Sequence, residues 1–84
     1  MTIKYLHEFL TELQALDASV RRQIIRKLDE LHRTPFEGTE HQALKGPQFK
    51  GLFKLRVGDW RLIYRVLDRE VLFVTLGHRS DVYE

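Results

Sequence analysis

The chain has 84 residues, which is one domain (1–84) with no room for a second, and a core of that size buries roughly 60–65% of the unfolded surface. There is no cysteine, which excludes disulfide staples and thiolate chemistry and fits a reducing cytoplasm. The longest apolar run, Val71-Leu72-Phe73-Val74, is too short for a membrane-crossing helix, and the net charge of +2 is too small to mark the whole chain as a polyanion binder.

The N-terminus, MTIKYLHEFL, lacks the charged region, apolar stretch and cleavage site of a signal peptide. Thr2–Leu6 reads as a short strand. From Leu6 the apolar spacing becomes helical, through Phe9, Leu10, Leu13 and Leu16. Asp17 interrupts and is a good N-cap for a second helix, whose stripe is Val20, Ile24, Leu28 and Leu31. Thr34-Pro35 ends it, because the residue before proline avoids the helical region. Residues 35–51 hold both prolines and three of the five glycines and read as an irregular loop. From Leu52 the period is 2, with strands expected over 52–57, 60–66 and 70–76 and turns at Gly58-Asp59 and Asp68-Arg69. The fold class is α+β: an N-terminal strand and a helical hairpin packed on one face of a twisted antiparallel sheet.

Charge is distributed unevenly along these elements. Residues 1–40 carry six Lys/Arg against seven Asp/Glu, residues 41–67 six against one, and residues 68–84 two against four. The excess of cations therefore falls on the first hairpin. A two-residue turn there pairs Val57 with Trp60, Arg56 with Arg61, and so on to Leu52 with Arg65. One face then holds Phe53, Leu55, Val57, Trp60, Leu62 and Tyr64, and belongs against the helices. The other holds Leu52, Lys54, Arg56, Arg61, Ile63 and Arg65, four cations and no acid. A solvent face selected for stability alone would mix signs, so this one reads as an anion site. Arginine at three of the four positions favours phosphate, which its planar fork matches. In the third strand, Leu72, Val74 and Leu76 are expected on the same basic face, with His78 after them. That apolar row needs a cover, either the 35–51 loop or a partner chain.

The motifs LKG (44–46), LFKLRVGDWRLIYRV (52–66) and GHRSDVY (77–83), with LDASVRRQIIRKLDEL (16–31) upstream, together resemble the RelE toxins of the RelE/ParE superfamily. The resemblance covers nearly the whole chain. It implies a microbial-RNase-like fold and an mRNA endonuclease acting in the ribosomal A site. It also implies a cognate RelB-like antitoxin, acidic and partly disordered until bound, in a toxin–antitoxin hetero-oligomer. Matched residue by residue, it gives Arg61 as the arginine that stabilises phosphate and Lys54 as an active-site lysine. Tyr83 matches a C-terminal tyrosine that such toxins use near the scissile phosphate, and His78 and Arg79, which follow the third hairpin strand, are further catalytic candidates. Arg56, Arg65, Lys45 and Lys50 become candidates for binding RNA phosphates. No cofactor or metal is implied, and no His/Cys/Asp/Glu cluster has ligand spacing. Leu52 departs from the pattern, standing where several such toxins carry a second lysine, which moves the general-base role towards His78 or Tyr83. A histidine titrates close to neutral pH and can donate or accept a proton. Two other readings stay open: a ParE-type gyrase poison on the same fold, and a non-catalytic RNA-binding module. His7, His32 and His41 carry no assigned role.

Overall fold

A computed structural model describes residues 2–34, 36, 38 and 40–80. Strand β1 (Thr2–Tyr5) leads into helices α1 (His7–Gln14) and α2 (Ala18–Leu31). Asp17 caps α2 as its sequence position demands. Its Oδ2 accepts from the Ser19 backbone N–H at 3.1 Å and from the Ser19 hydroxyl at 2.6 Å. The Ser19 hydroxyl bond is the main reason its carboxyl lies below the usual range. At the other end of the α1–α2 corner, the Arg21 guanidinium donates to the Leu16 and Gln14 carbonyls, satisfying acceptors that α1 leaves open.

The remaining strands are β2 (His41–Ala43), β3 (Leu52–Val57), β4 (Trp60–Leu67) and β5 (Glu70–His78), with a 3₁₀ turn over Pro47–Phe49. They form one sheet in the order β1-β5-β4-β3-β2. Two features differ from the pattern of the sequence. β1 runs parallel to β5, so the sheet is mixed, and the short β2 inside the expected loop adds an edge strand to β3.

The β3–β4 register is the predicted one, from Val57 opposite Trp60 to Leu52 opposite Arg65. The turn works because Gly58 takes a φ of +60°, where a side chain is disfavoured. Leu55, Val57, Leu62 and Tyr64 accordingly face Phe9 and Leu13 of α1 and Ile24, Leu28 and Leu31 of α2. Trp60 packs against this core from its rim, as its parity requires. Loop residue Phe36 closes the core edge-on to Tyr64, with ring centroids 5.6 Å apart.

The β4–β5 register departs from the expectation. A bulge breaks it: Tyr64 is opposite Phe73, but Ile63 is opposite Thr75, so Val74 is extra. Every residue after Val74 changes parity. Leu76 stands opposite Leu62 and is buried in the helix-side core, and His78 stands opposite Trp60. Neither continues the row of Leu72 on the basic face. Glu12 of α1 serves this irregular stretch: its carboxylate accepts from the Thr75 hydroxyl at 2.8 Å and from the Leu76 backbone N–H at 3.2 Å. No described helix is long and apolar enough to cross a membrane.

Candidate functional site

The strand faces dictate where the cations fall. Arg56 and Arg61 are cross-strand neighbours beside the β3–β4 turn, Lys54 is opposite Ile63 at mid-hairpin, and Arg65 is opposite Leu52 at the far end. Three residues of β4 lie between Arg61 and Arg65, which are about 13 Å apart along the strand, so the two arginines mark opposite ends of the face.

Lys54 and Arg61 are each only 7% exposed, unusual for charged side chains, while Arg56 is exposed. The Arg61 guanidinium turns towards the hairpin tip, where its Nη1 donates to the Gly58 carbonyl at 3.2 Å and the Trp60 carbonyl at 3.1 Å. Those carbonyl dipoles offset part of the repulsion that two facing arginines impose. Ile63 is 1% exposed yet lies outside the helix-side core, as does buried Leu44. The face opposite the helices therefore has a small apolar floor of its own, which keeps water from the stem of Lys54. Leu44 arrives by extending the β2 ladder, its N–H donating to the Leu52 carbonyl at 3.0 Å. Part of the cover over this face thus comes from the segment after β2. Beside Lys54 is a cavity of about 120 Å³ lined by Gln42, Ala43, Leu44 and Lys45.

At the tip, β5 is tied to the hairpin. The Arg79 backbone N–H donates to the Asp59 carbonyl at 2.8 Å, and its guanidinium lies 3.7 Å from the Asp59 carboxylate. The His78 ring stands perpendicular to the Trp60 ring, with centroids 5.5 Å apart. Backbone connections thus bring Arg56, Arg61, His78 and Arg79 to one end of the sheet, with Lys54 next along β3.

A family model described as the ParE toxin of type II toxin–antitoxin systems matches residues 3–83. The chain belongs to the RelE/ParE superfamily of toxins. The mRNA interferase toxin RelE of Escherichia coli strain K12 is 33% identical over 78 residues, 88% of this chain and 80% of that one. Among solved structures, the RelBE2 toxin–antitoxin complex of Mycobacterium tuberculosis matches with a TM-score of 0.75 and 24% identity, over 95% of this chain and 92% of that one. The archaeal RelE–RelB complex of Pyrococcus horikoshii matches with a TM-score of 0.71 and 26% identity, over 96% and 97%.

The RelE/ParE toxin fold brings together only some of the candidates. Lys45 joins Lys54 at the cavity. Arg65 lies near Gly51, where an added Cβ would sit 3.6 Å from its Nη1, and Lys50 precedes that glycine. Arg65 and Lys50 therefore mark the end remote from Arg61. Tyr83 lies outside the described residues. His41, given no role from the sequence, belongs to the fold: its Nδ1 is 2.9 Å from the Tyr64 hydroxyl, beside the Phe36 ring. Two residues of the site carry no signal in the sequence. Gln42 falls in a segment that reads as a loop, and only its pairing with Lys54 across β2–β3 brings it to the basic face. Ser80 touches the His78 ring through a local contact that small hydroxyl residues commonly make.

Proposed function

We propose that this toxin is a metal-independent mRNA endonuclease that cleaves message in the ribosomal A site. What carries the reading is the pair Lys54 and Arg61, both nearly buried on a hairpin face whose strand residues include no acid, in a chain one-third identical to an mRNA interferase. The reaction is attack of a ribose 2′-oxygen on the adjacent phosphorus. The 2′-oxygen loses its proton to a base, the bond from phosphorus to the 5′-oxygen breaks, and that oxygen is protonated. The products are a 2′,3′-cyclic phosphate and a 5′-hydroxyl. DNA, lacking the 2′-OH, is spared. Charge builds up on the phosphoryl oxygens in the transition state, and fixed cations at the site stabilise it most where water is scarce. Arg61 supplies that charge, with Lys54 beside it as base or second cation. Arg56 and Arg79 hold flanking phosphates at the hairpin tip, and Lys45, Lys50 and Arg65 extend the track along the face.

The partner is a RelB-like acidic antitoxin that folds on the toxin, a reading supported by the RelE–RelB complexes among the structural relatives. The family model also favours a second reading, a ParE-type gyrase poison.

Primer extension on an mRNA translated in a cell-free system, beside the same RNA without ribosomes, tests both. Cuts within codons only on translated message are expected. Cuts in both samples would make the protein a free ribonuclease. No cuts in either, with toxicity intact, would move the case to gyrase.

A further inference from the structure

The β2–β3 ladder places one neutral polar side chain among the cations. Gln42 is opposite Lys54, and Lys54 is opposite Ile63, so the three form a row across β2, β3 and β4. His41, one residue earlier, turns towards Tyr64 on the helix side, so alternation sends Gln42 to the other face with Lys54. Rungs on either side fix the row. The Leu44 N–H donates to the Leu52 carbonyl at 3.0 Å, and the Arg56 N–H donates to the Glu40 carbonyl at 2.9 Å. The row opens on the cavity of about 120 Å³, which Gln42 and Lys54 line together with Ala43, Leu44 and Lys45. Pockets for whole small molecules start at about 300 Å³. This one has room for part of a nucleotide. Ala43 and Leu44 give it apolar surface for a ring, and Gln42 gives it a carboxamide that donates and accepts in one plane.

We propose that Gln42 is a specificity-determining residue, whose carboxamide reads the edge of a nucleobase next to the cleaved phosphate and favours a keto base, uracil or guanine, over adenine or cytosine. The proposal rests on the nuclease reading, which brings RNA to this face. Bases of single-stranded RNA splay out and offer their edges to side chains. All four carry a donor beside an acceptor, which an amide can match, so the choice falls to what surrounds Gln42. The other polar side chains lining the cavity, among the described residues, are Lys45 and Lys54, whose ammonium groups have donors and no acceptor. A keto oxygen is favoured in that positive field, whereas an exocyclic amino group meets it donor to donor. Strand β2 holds the amide in place, since Glu40 at its start pairs with Lys27 of α2 at 3.0 Å.

Two measurements keep base reading apart from the nuclease reading. The first needs no cleavage. The four nucleoside 3′-monophosphates and inorganic phosphate are titrated against the full chain, and the Gln42 side-chain amide is followed by nitrogen-15 NMR, assigned by its loss in Gln42→Leu. That resonance is expected to shift with the uracil and guanine nucleotides, which bind about tenfold tighter than the other two, and the four affinities are expected to converge in Gln42→Leu. A resonance that stays in place, or that moves equally with all four nucleotides or with phosphate alone, would overturn the proposal. The second measurement is cleavage of RNAs that differ only in the two bases flanking the cut, free and on programmed ribosomes. The parent is expected to favour uracil or guanine at one of these positions by about tenfold, and Gln42→Leu, shown to be folded by a thermal melt, to reduce the preference to less than about threefold. An unchanged preference, or a uniform drop across all sequences, would leave Gln42 at most a contact to the backbone and sink the base-reading role. If the parent chain cuts no RNA under any condition, the nuclease reading fails, and the titration still decides whether Gln42 binds a base.

Discussion

Arg61 shows how a single side chain can serve two ends at once. Its guanidinium donates from Nη1 to the Gly58 and Trp60 carbonyls, which sets the direction of its fork. Fixing it in advance means less freedom is lost when a phosphate arrives. Lysine keeps the charge but has no fork, and a compact ammonium cannot bridge carbonyl and phosphate in the same plane. Arg61→Ala is expected to lower the cleavage rate about 10²- to 10³-fold, the usual effect of removing one preorganised donor from a developing anion. Arg61→Lys is expected to recover less than a tenth of that loss. Single-turnover kinetics on a minimal RNA or on programmed ribosomes would measure both, with a thermal melt to show that each variant is folded. Full activity in Arg61→Lys would mean that only net charge matters at this position. At Tyr64 the expectation concerns stability alone. Tyr64→Phe leaves His41 Nδ1 without its 2.9 Å partner and should cost about 0.5–1.5 kcal/mol in urea unfolding, with cleavage unaffected.

Among the elements, legibility depends on whether a pattern has something to lose by slipping. In β3 and β4 a shift of one residue would bury arginines, so the alternation alone specifies the pairing residue by residue. The run Val71-Leu72-Phe73-Val74-Thr75-Leu76 has apolar side chains on both parities, so an extra residue costs no buried charge and leaves no trace in the pattern. That is why the bulge at Val74 is invisible in the sequence, and why simple alternation puts Leu76 and His78 on the wrong face. β2 is three residues, His41-Gln42-Ala43, too short to alternate, and it is held by its ladder to β3. The parallel pairing of β1 with β5 is a choice of partner, which local periodicity does not encode. The bulge can be tested as an element. Deleting Val74 removes the extra residue, so Phe73, Thr75 and Leu76 alternate regularly and Thr75 and Leu76 keep their partners Ile63 and Leu62. The deletion is expected to leave cooperative unfolding by circular dichroism intact. Glu12→Ala, which keeps the bulge but leaves two donors unpaired, should cost about 1–3 kcal/mol. A deletion variant that no longer unfolds cooperatively would show that the bulge itself carries structural weight.

At the scale of the whole molecule, the closure of the core over Tyr64 predicts how stability follows pH. Three parts of the chain meet there: Phe36, β2 and β4. Glu40 holds the start of β2 in place. Its carboxylate takes a 3.0 Å ion pair from Lys27 of α2, and its backbone carbonyl accepts from the Arg56 N–H at 2.9 Å. Burial lowers the pKa of His41, with the Glu40 charge opposing it and Lys27 adding a little in the same direction. Burial raises that of the Tyr64 hydroxyl to about 12. For His41, the unfolded chain takes up its proton before the folded one as pH falls. Its contribution is therefore present above the ordinary histidine value of about 6.5 and is lost as pH drops towards the lower folded value. For Tyr64, the unfolded chain loses its proton first as pH rises. Its contribution is present below about 10 and is lost on the way to 12. The two groups act on the same joint, so the parent should show a plateau between about pH 7 and pH 10 with a decline on each side. Urea midpoints of parent, His41→Asn and Tyr64→Phe at pH 5.5, 8 and 11 resolve the two limbs. His41→Asn should flatten the decline from pH 8 to 5.5, and Tyr64→Phe should lessen the one from pH 8 to 11, where Tyr5, also raised by burial, keeps a share. Carboxylates such as Glu40 and Asp17, whose folded values are lowered, lose their contributions only in more acidic solution and remain in both variants. If His41→Asn declines between pH 8 and 5.5 as steeply as the parent, the acid limb belongs to other groups, and the His41–Tyr64 joint does not govern it.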